Sequence, residues 1–385
     1  MKINQEVIVK AEKIAHGGFV VARYEEKVLF VRKALPDELV KVRILKKAPG
    51  GRAWIAEAIE VIEPSQFRVE PECIYFKEAD CGGCDFQHAQ IDYQTELKIN
   101  VLVEQMQRLA NLSVAHLVNS HQLQPKDYQW RSKIRLAPNQ DGKLGYRRYR
   151  SHEIVPIANC QIASPEINSL LNELKDQKFS DEQILIARDG QAQAVPAKSS
   201  KKVTTNILGF DFTHVVTGFW QSHISAAESL SNLLLSKVIT AESTLDLYAG
   251  VGIFGRLLLE NQKTQKLVSV ELDAAASNSA RENLQKFPRA SVVSQRAEAY
   301  LKETTEEFDL VILDPPRKGL GIVATEHLGT TAKEQIVYLS CDPASLARDT
   351  KELTKNGWHL SQLDLIDAFP QTHHLETLAV FSRIN

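Results

Sequence analysis

Between residues 5 and 63, apolar and polar positions alternate in short runs: EVIVKAEKIA, FVVARYE, KVLFVRKAL, ELVKVRILKK and WIAEAIEVIEP, broken by the turn signals HGG, LPDE and APGGR. Five strands of this length predict a small barrel of the OB type over residues 1–63. The period changes in 91–112, where Ile99, Leu102, Val103, Met106 and Leu109 fall at helical spacing and predict an amphipathic helix. β-like stretches return around WRSKIRLA and HEIVPIAN, with a helix at PEINSLLNELKDQ, so 64–212 reads as an α+β central domain. From about residue 240 strands alternate with helices: STLDLYAG, IFGRLLLEN, LVSVEL, AAASNSARENLQKF, ASVVSQ, FDLVILD, QIVYLSC, ASLARDTKELTKNG, HLSQLDLIDAF and TLAVFSRI. That order predicts a doubly wound, mostly parallel sheet over 213–385 that closes on an antiparallel strand. The expected fold class is α/β, a Rossmann-like sheet preceded by the barrel and the central domain, with the 91–112 helix packed on the last domain.

With 43% hydrophobic and 24% charged residues in 385, the composition excludes collagen-like, low-complexity and disordered chains. The sequence has no 18-residue apolar run and no export-type N-terminus, so a cytoplasmic protein without a membrane span is expected. The net charge of −2 hides a strong separation of sign. Residues 1–52 carry twelve basic and six acidic side chains, and residues 126–150 carry eight and two, leaving the remainder strongly acidic. In the second segment Arg131, Lys133, Arg147 and Arg148 interleave with Trp130, Tyr146 and Tyr149. Such a mixture neutralises phosphates and stacks single-stranded bases, so an RNA-binding face is expected there.

Residues 250–255 read GVGIFG between a strand and a helix, and Glu271 follows at the end of the next strand. Glycines Gly250 and Gly252 let backbone approach a ligand, and Glu271 can accept both hydroxyls of a ribose. Nicotinamide dinucleotides and S-adenosylmethionine share that ribose. Asp246, just before the glycines, would oppose a pyrophosphate and suits a cationic ligand, which favours the second.

The five cysteines divide into four and one. Cys341 stands at the carboxyl end of QIVYLS, the ligand-facing edge of such a sheet, with Asp314 and Arg317 of DPPRKG at the end of another strand and His373, His374 and Glu376 after it. A thiolate there is a candidate nucleophile, its charge eased by the arginine. Cys73, Cys81 and Cys84 form C-x7-C-G-G-C, and Cys160 can complete four ligands; by spacing alone, zinc and a [4Fe-4S] cluster are both open.

Taken together, DLYAGVGIFG, DPPRKG, SCDPASLARD and the HHLE segment resemble the RNA uracil-5-methyltransferase family, and the HGGFVVAR turn resembles the TRAM barrel that many members carry. The resemblance spans nearly the whole chain. It implies Cys341 as the nucleophile, Glu376 as the base, and Gln221, Tyr248, Glu271 and Asp314 as contacts of S-adenosylmethionine, with Asp314 equally suited to a uracil edge. It also implies a [4Fe-4S] cluster on Cys73, Cys81, Cys84 and Cys160, and 23S ribosomal RNA as substrate, with the T-loop uridine of transfer RNA as the alternative. Two positions depart from the family pattern: His223 stands where members usually carry Asn, and Ile253 where some carry a polar residue. An iron–sulfur RNA-binding protein with a decayed catalytic domain is the reading from another class, and intact Cys341, Glu376 and glycine loop speak against it.

Overall fold

The computed structural model describes residues 1–383. Its N-terminal strands, Glu6–Ala15, Phe19–Tyr24, Lys27–Arg32, Leu39–Lys47 and Ala53–Glu63, form a closed barrel in which the last two exchange places in spatial order. Alternation decides which side chains go inside: Val9, Val20, Ala22, Leu29, Val31, Val40, Val42 and Ile44 fill the interior. A five-stranded sheet follows, in the order Gln191–Pro196, Gln183–Arg188, Lys133–Pro138, Leu144–Arg147, Ile154–Pro156. Its face is covered by helix Pro165–Leu174, which starts where the Ser164 hydroxyl accepts from the Ile167 amide and a proline takes the first helical position.

The C-terminal sheet has eight strands in the order Ala290–Val293, Thr264–Val270, Ala241–Leu247, Phe308–Leu313, Ala332–Ser340, Glu376–Arg383, Trp358–Asp367, Val118–Gln122. Its first five are mutually parallel, and Glu376–Arg383 runs antiparallel to both neighbours, as the sequence predicts. The eighth strand was not expected. VNSHQ has no apolar alternation because it lies at the edge, parallel to Trp358–Asp367 and largely exposed.

The amphipathic segment forms helix Ile91–Gln105, continued by one π turn over Met106–Ala110 and stopped by Asn111 at φ 58°. It faces two cores at once. Leu97 and Val101 belong to the barrel's core, while Leu102 and Met106 pack with Leu346 and Leu353 of the large sheet's layer. On that seam the Lys98 ammonium, almost wholly buried, lies 2.5 Å from Asp367 and donates to the Phe369 carbonyl at 3.0 Å. Thr95 donates to the second Asp367 oxygen at 2.9 Å. Burial lowers the Lys98 pKa and the Asp367 carboxylate opposes that shift.

Removing one member of such a pair leaves the other charged and enclosed. Asp367→Ala should therefore destabilise the protein by about 3–5 kcal/mol, read as a lowered urea midpoint, whereas Lys10→Ala on the exposed barrel rim should leave the midpoint unchanged.

Candidate active site

The ligand-facing edge of the large sheet opens into a cavity of about 1490 Å³ that runs from the glycine loop, past Cys341 and Glu376, to the arginines of the central domain. The loop is built by backbone shape. After strand Ala241–Leu247, Tyr248 takes φ 58°, a region costly for a bulky side chain, and Gly250 and Gly252 follow at 56° and 81°. Gly252 caps helix Ile253–Glu260. A Cβ on Gly255 would stand 2.7 Å from a Leu267 methyl and 2.9 Å from Asp246 Oδ2, so only glycine lets this helix lie so close to the sheet. The Glu271 carboxylate is held in place by the Gly250 amide at 2.9 Å and the Asp273 amide at 2.7 Å. Gln221, Tyr248, Gly250, Glu271 and Asp314 all line the cavity, and the Tyr248 hydroxyl is turned towards Glu298. Gly252 and Asp246 lie behind that lining. Asp246 is buried beneath the loop with Oδ2 unpartnered, and burial pushes its pKa up to about 8 against the pull of the Gly255 amide. A bare glycine cradle and a fixed carboxylate on one wall fit a ribose-bearing ligand.

On the opposite wall, strand Ala332–Ser340 delivers Cys341 and strand Glu376–Arg383 begins with Glu376. Burial pushes the Cys341 thiol up to about 11, with Glu376 and Asp314 adding to the shift and Arg317 opposing it. Burial also raises Glu376 well above the carboxylate range, again with Asp314 adding and Arg317 opposing. Asp314 is pushed up to about 7 by its enclosure. These groups feel one another, so a cation entering the cavity would lower all three together. Arg317 donates to His374 at 3.0 Å. The loop carrying Asp314 and Arg317 is anchored from behind by Asp349, whose carboxylate accepts from the Leu320 amide and the Tyr338 hydroxyl, both at 2.7 Å. Sequence reasoning missed Asp349 as a separate residue, although it ends the SCDPASLARD motif two helical turns beyond Asp342.

The basic segment divides. Arg131 and Arg147 line the cavity beside Arg135 and Tyr149. Arg147 and Arg135 both pair with Glu182, at 2.9 and 3.0 Å. Arg148 instead pairs with Glu153 at 3.2 Å, and Lys133 donates to the Gly218 carbonyl at 2.5 Å, its pKa lowered to about 8 by burial and Arg135. Trp130, expected to stack on bases, is wholly buried, because its indole fills the space against His223 with ring centroids 5.6 Å apart. His223 itself is structural: Nδ1 accepts from the Ser225 amide and Nε2 reaches the Pro125 carbonyl, so the departure from Asn serves packing and leaves the cavity wall alone.

Cys73, Cys81, Cys84 and Cys160 surround one small cavity of about 20 Å³, which adjoins the large one across Gly83 and Tyr146. Burial pushes Cys81 up to about 11 and raises Cys84, with neighbouring cysteines adding at both, and it raises Cys160 against the pull of the Ala163 amide and Arg131. Among the described residues no group of three or more His, Cys, Asp or Glu stands close enough to hold a metal ion. The donor set suits a soft metal, and bringing four thiolates to one ion requires them to draw inward.

Residues 210–384 match the tRNA (Uracil-5-)-methyltransferase family. An uncharacterized RNA methyltransferase of Streptomyces coelicolor is 33% identical, with 98% of this chain and 93% of the relative aligned. The 23S rRNA (uracil(1939)-C(5))-methyltransferase of Shewanella sediminis is 29% identical over 99% of this chain and 96% of its own length. The crystal structure of a Pyrococcus abyssi tRNA (uracil-54, C5)-methyltransferase with S-adenosyl-L-homocysteine superposes with a TM-score of 0.73 over 98% of this chain and 100% of that one. At 21% identity that likeness is one of fold: the N-terminal barrel, the central domain and the α/β sheet. No helix among the described residues is long and apolar enough to cross a membrane.

The buried Asp246 has a measurable signature. Between its ordinary 3.8 and about 8, the folded chain keeps a proton that the unfolded chain has released, so its contribution to stability falls as pH rises through that window. Asp246→Asn should flatten this dependence, giving ligand-free protein a higher thermal midpoint than wild type at pH 8 and an equal one at pH 4; parallel curves for the two proteins would remove the cause assigned here.

Proposed function

The chain belongs to the RNA (uracil-5-)-methyltransferase family and is an S-adenosylmethionine-dependent RNA (uracil-C5)-methyltransferase, and from that premise we propose that it modifies a uridine of 23S ribosomal RNA with Cys341 as nucleophile and Glu376 as base. The observation that carries the reading of the site is the shared wall: one thiol and one buried carboxyl, electrostatically coupled, in the same cavity as the glycine loop. S-adenosylmethionine, when bound, supplies an electrophilic methyl carbon. Gln221, Tyr248, Gly250 and Glu271 would hold it, with Gly252 and Asp246 shaping the loop from behind.

Carbon 5 of uracil is too weak a nucleophile to take a methyl group unaided. Addition of the Cys341 thiolate to carbon 6 pushes the ring's π pair towards oxygen 4, and the resulting enolate is nucleophilic at carbon 5. Once carbon 5 is methylated, Glu376 removes its remaining proton. The electrons restore the carbon 5–carbon 6 double bond and expel the thiolate. A stacked base cannot reach Cys341, so the uridine is flipped in, at a few kcal/mol offset by contacts in the pocket. Asp314 serves either that base or the methyl donor. Arg131 and Arg147, with Lys133 and Arg148 set further out, supply the path for the flanking strand.

The ribosomal target rests on the full-length likeness to the Shewanella enzyme, and on a four-cysteine set resembling that of the family's iron–sulfur members. The T-loop of transfer RNA is the alternative. On the same reading Cys73, Cys81, Cys84 and Cys160 hold a [4Fe-4S] cluster that staples the central domain and takes no electron during turnover. The protein then works in the cytoplasm as three units, 1–63, 64–212 and 213–385.

Three outcomes follow. Cys341→Ala should abolish methyl transfer, and Glu376→Gln should slow it about 10²–10⁴-fold while a covalent RNA–protein adduct accumulates; turnover by Cys341→Ala at the wild-type rate excludes the covalent route. Methyluridine mapped in a deletion strain should vanish from 23S ribosomal RNA and persist in transfer RNA, the reverse supporting the alternative. Arg147→Glu should weaken RNA binding and lower the slope of log affinity against log salt by about 1, and an unchanged slope would take Arg147 off the RNA path.

A further inference from the structure

The first turn of the barrel reaches the catalytic wall. Between strands Glu6–Ala15 and Phe19–Tyr24, Gly17 and Gly18 take φ values of 89° and 76°, and this tight turn projects His16 outward. His16 Nε2 lies 3.1 Å from Oδ2 of Asp342, the residue that follows Cys341. Gly18 meets the other side of the site: a Cβ there would stand 2.9 Å from the Cβ of His373, three residues before Glu376. His373 is fixed in turn by Asp85, whose carboxylate is 2.6 Å from its Nδ1 and accepts its backbone amide at 3.1 Å.

Asp342 is held at both oxygens. Oδ1 accepts the Ser345 amide at 2.7 Å and starts helix Pro343–Lys355, while Oδ2 faces His16. Its backbone is tied to the end of the preceding strand, since Ser340 Oγ accepts the Asp342 amide at 3.2 Å and donates to the Asp342 carbonyl at 3.0 Å. The peptide between these two residues carries Cys341. His16 and Ser345 together restrain the residue next to Cys341, and with it the short segment from which the thiol projects. The carboxylate is also a negative charge beside that thiol, and a donor on Oδ2 draws its charge away.

We propose that His16 is a positioning residue for methyl transfer: by hydrogen bonding Asp342 it orients Cys341, so the N-terminal barrel completes the catalytic centre. The inference rests on Cys341 being the nucleophile. The contact joins residues more than 300 apart in sequence, and His16 is partly exposed, so its replacement disturbs no core.

The test compares His16→Ala, His16→Gln and Cys341→Ala on an unmodified 23S ribosomal RNA transcript. His16→Ala should lower kcat about tenfold with KM for RNA and the thermal midpoint unchanged, and should slow alkylation of Cys341 by iodoacetamide in the absence of RNA. His16→Gln, whose Nε2 sits at nearly the same reach from the backbone, should recover most of both. A His16→Ala enzyme with wild-type kcat and alkylation rate, or one impaired only in KM, overturns the inference and leaves His16 at most an RNA contact. Because Cys341→Ala is assayed in parallel, the two readings separate. Wild-type turnover by Cys341→Ala would sink the nucleophile assignment and this inference with it, whereas an inactive Cys341→Ala beside a fully active His16→Ala overturns this inference alone.

Discussion

Everything at the catalytic wall hangs on a small set of enclosed polar contacts around the turn between the last two strands. Lys98 and Asp367 face each other almost out of contact with water, and the same ammonium takes the Phe369 carbonyl. Two residues on, the Gln94 amide closes a ring with Gln371, donating to its side-chain oxygen at 3.0 Å and accepting its backbone amide at 2.8 Å. The Gln371 carbonyl then receives the amides of Asp85 and Phe86. Apolar surfaces would tolerate sliding by a fraction of a residue. Enclosed charges and amides do not, because each unsatisfied group costs more than the contact was worth. The turn that leads into Glu376 is therefore set by residues of the helix and of the segment beside Cys84, neither of which belongs to the C-terminal half of the chain.

That dependence explains which features could be read in advance. Periodicity exposed the barrel and the central strands of the large sheet, since their burial is dictated by neighbours in the same strand. The glycine loop was legible because backbone conformation requires its residue types, and Cys341 because strand order places it at a ligand-facing edge. Other features depended on distant partners. Gln94 and Lys98 look like polar positions on a surface helix until Gln371 and Asp367, 277 and 269 residues away, are brought against them. Trp130 looked like a base-stacking aromatic among arginines, and only the packing of His223 shows that it is core. The edge strand Val118–Gln122 carries no apolar signal because its neighbour supplies the only pairing it needs.

The electrostatics of the cavity have a directional logic. Burial drives thiol and carboxyls towards their protonated forms, and for Cys341 and Glu376 the neighbouring carboxyl groups add to it. A positively charged ligand reverses this for the whole group, and a neutral one of the same shape does not. Arg317, exposed and tethered to His374, tempers the accumulation without removing it.

The sequence distance between Lys98 and Asp367 also bears on how the protein is made. At about 5–20 residues per second on the ribosome, the helix carrying Lys98 waits on the order of tens of seconds for its counter-charge to be synthesised. Throughout that interval barrel and helix can form, yet the seam between them and the large sheet holds an ammonium with no partner, which disfavours early closure. Closure of that seam is thereby deferred until Asp367 has been made, so the order of synthesis sets the order in which barrel, helix and large sheet can seal together.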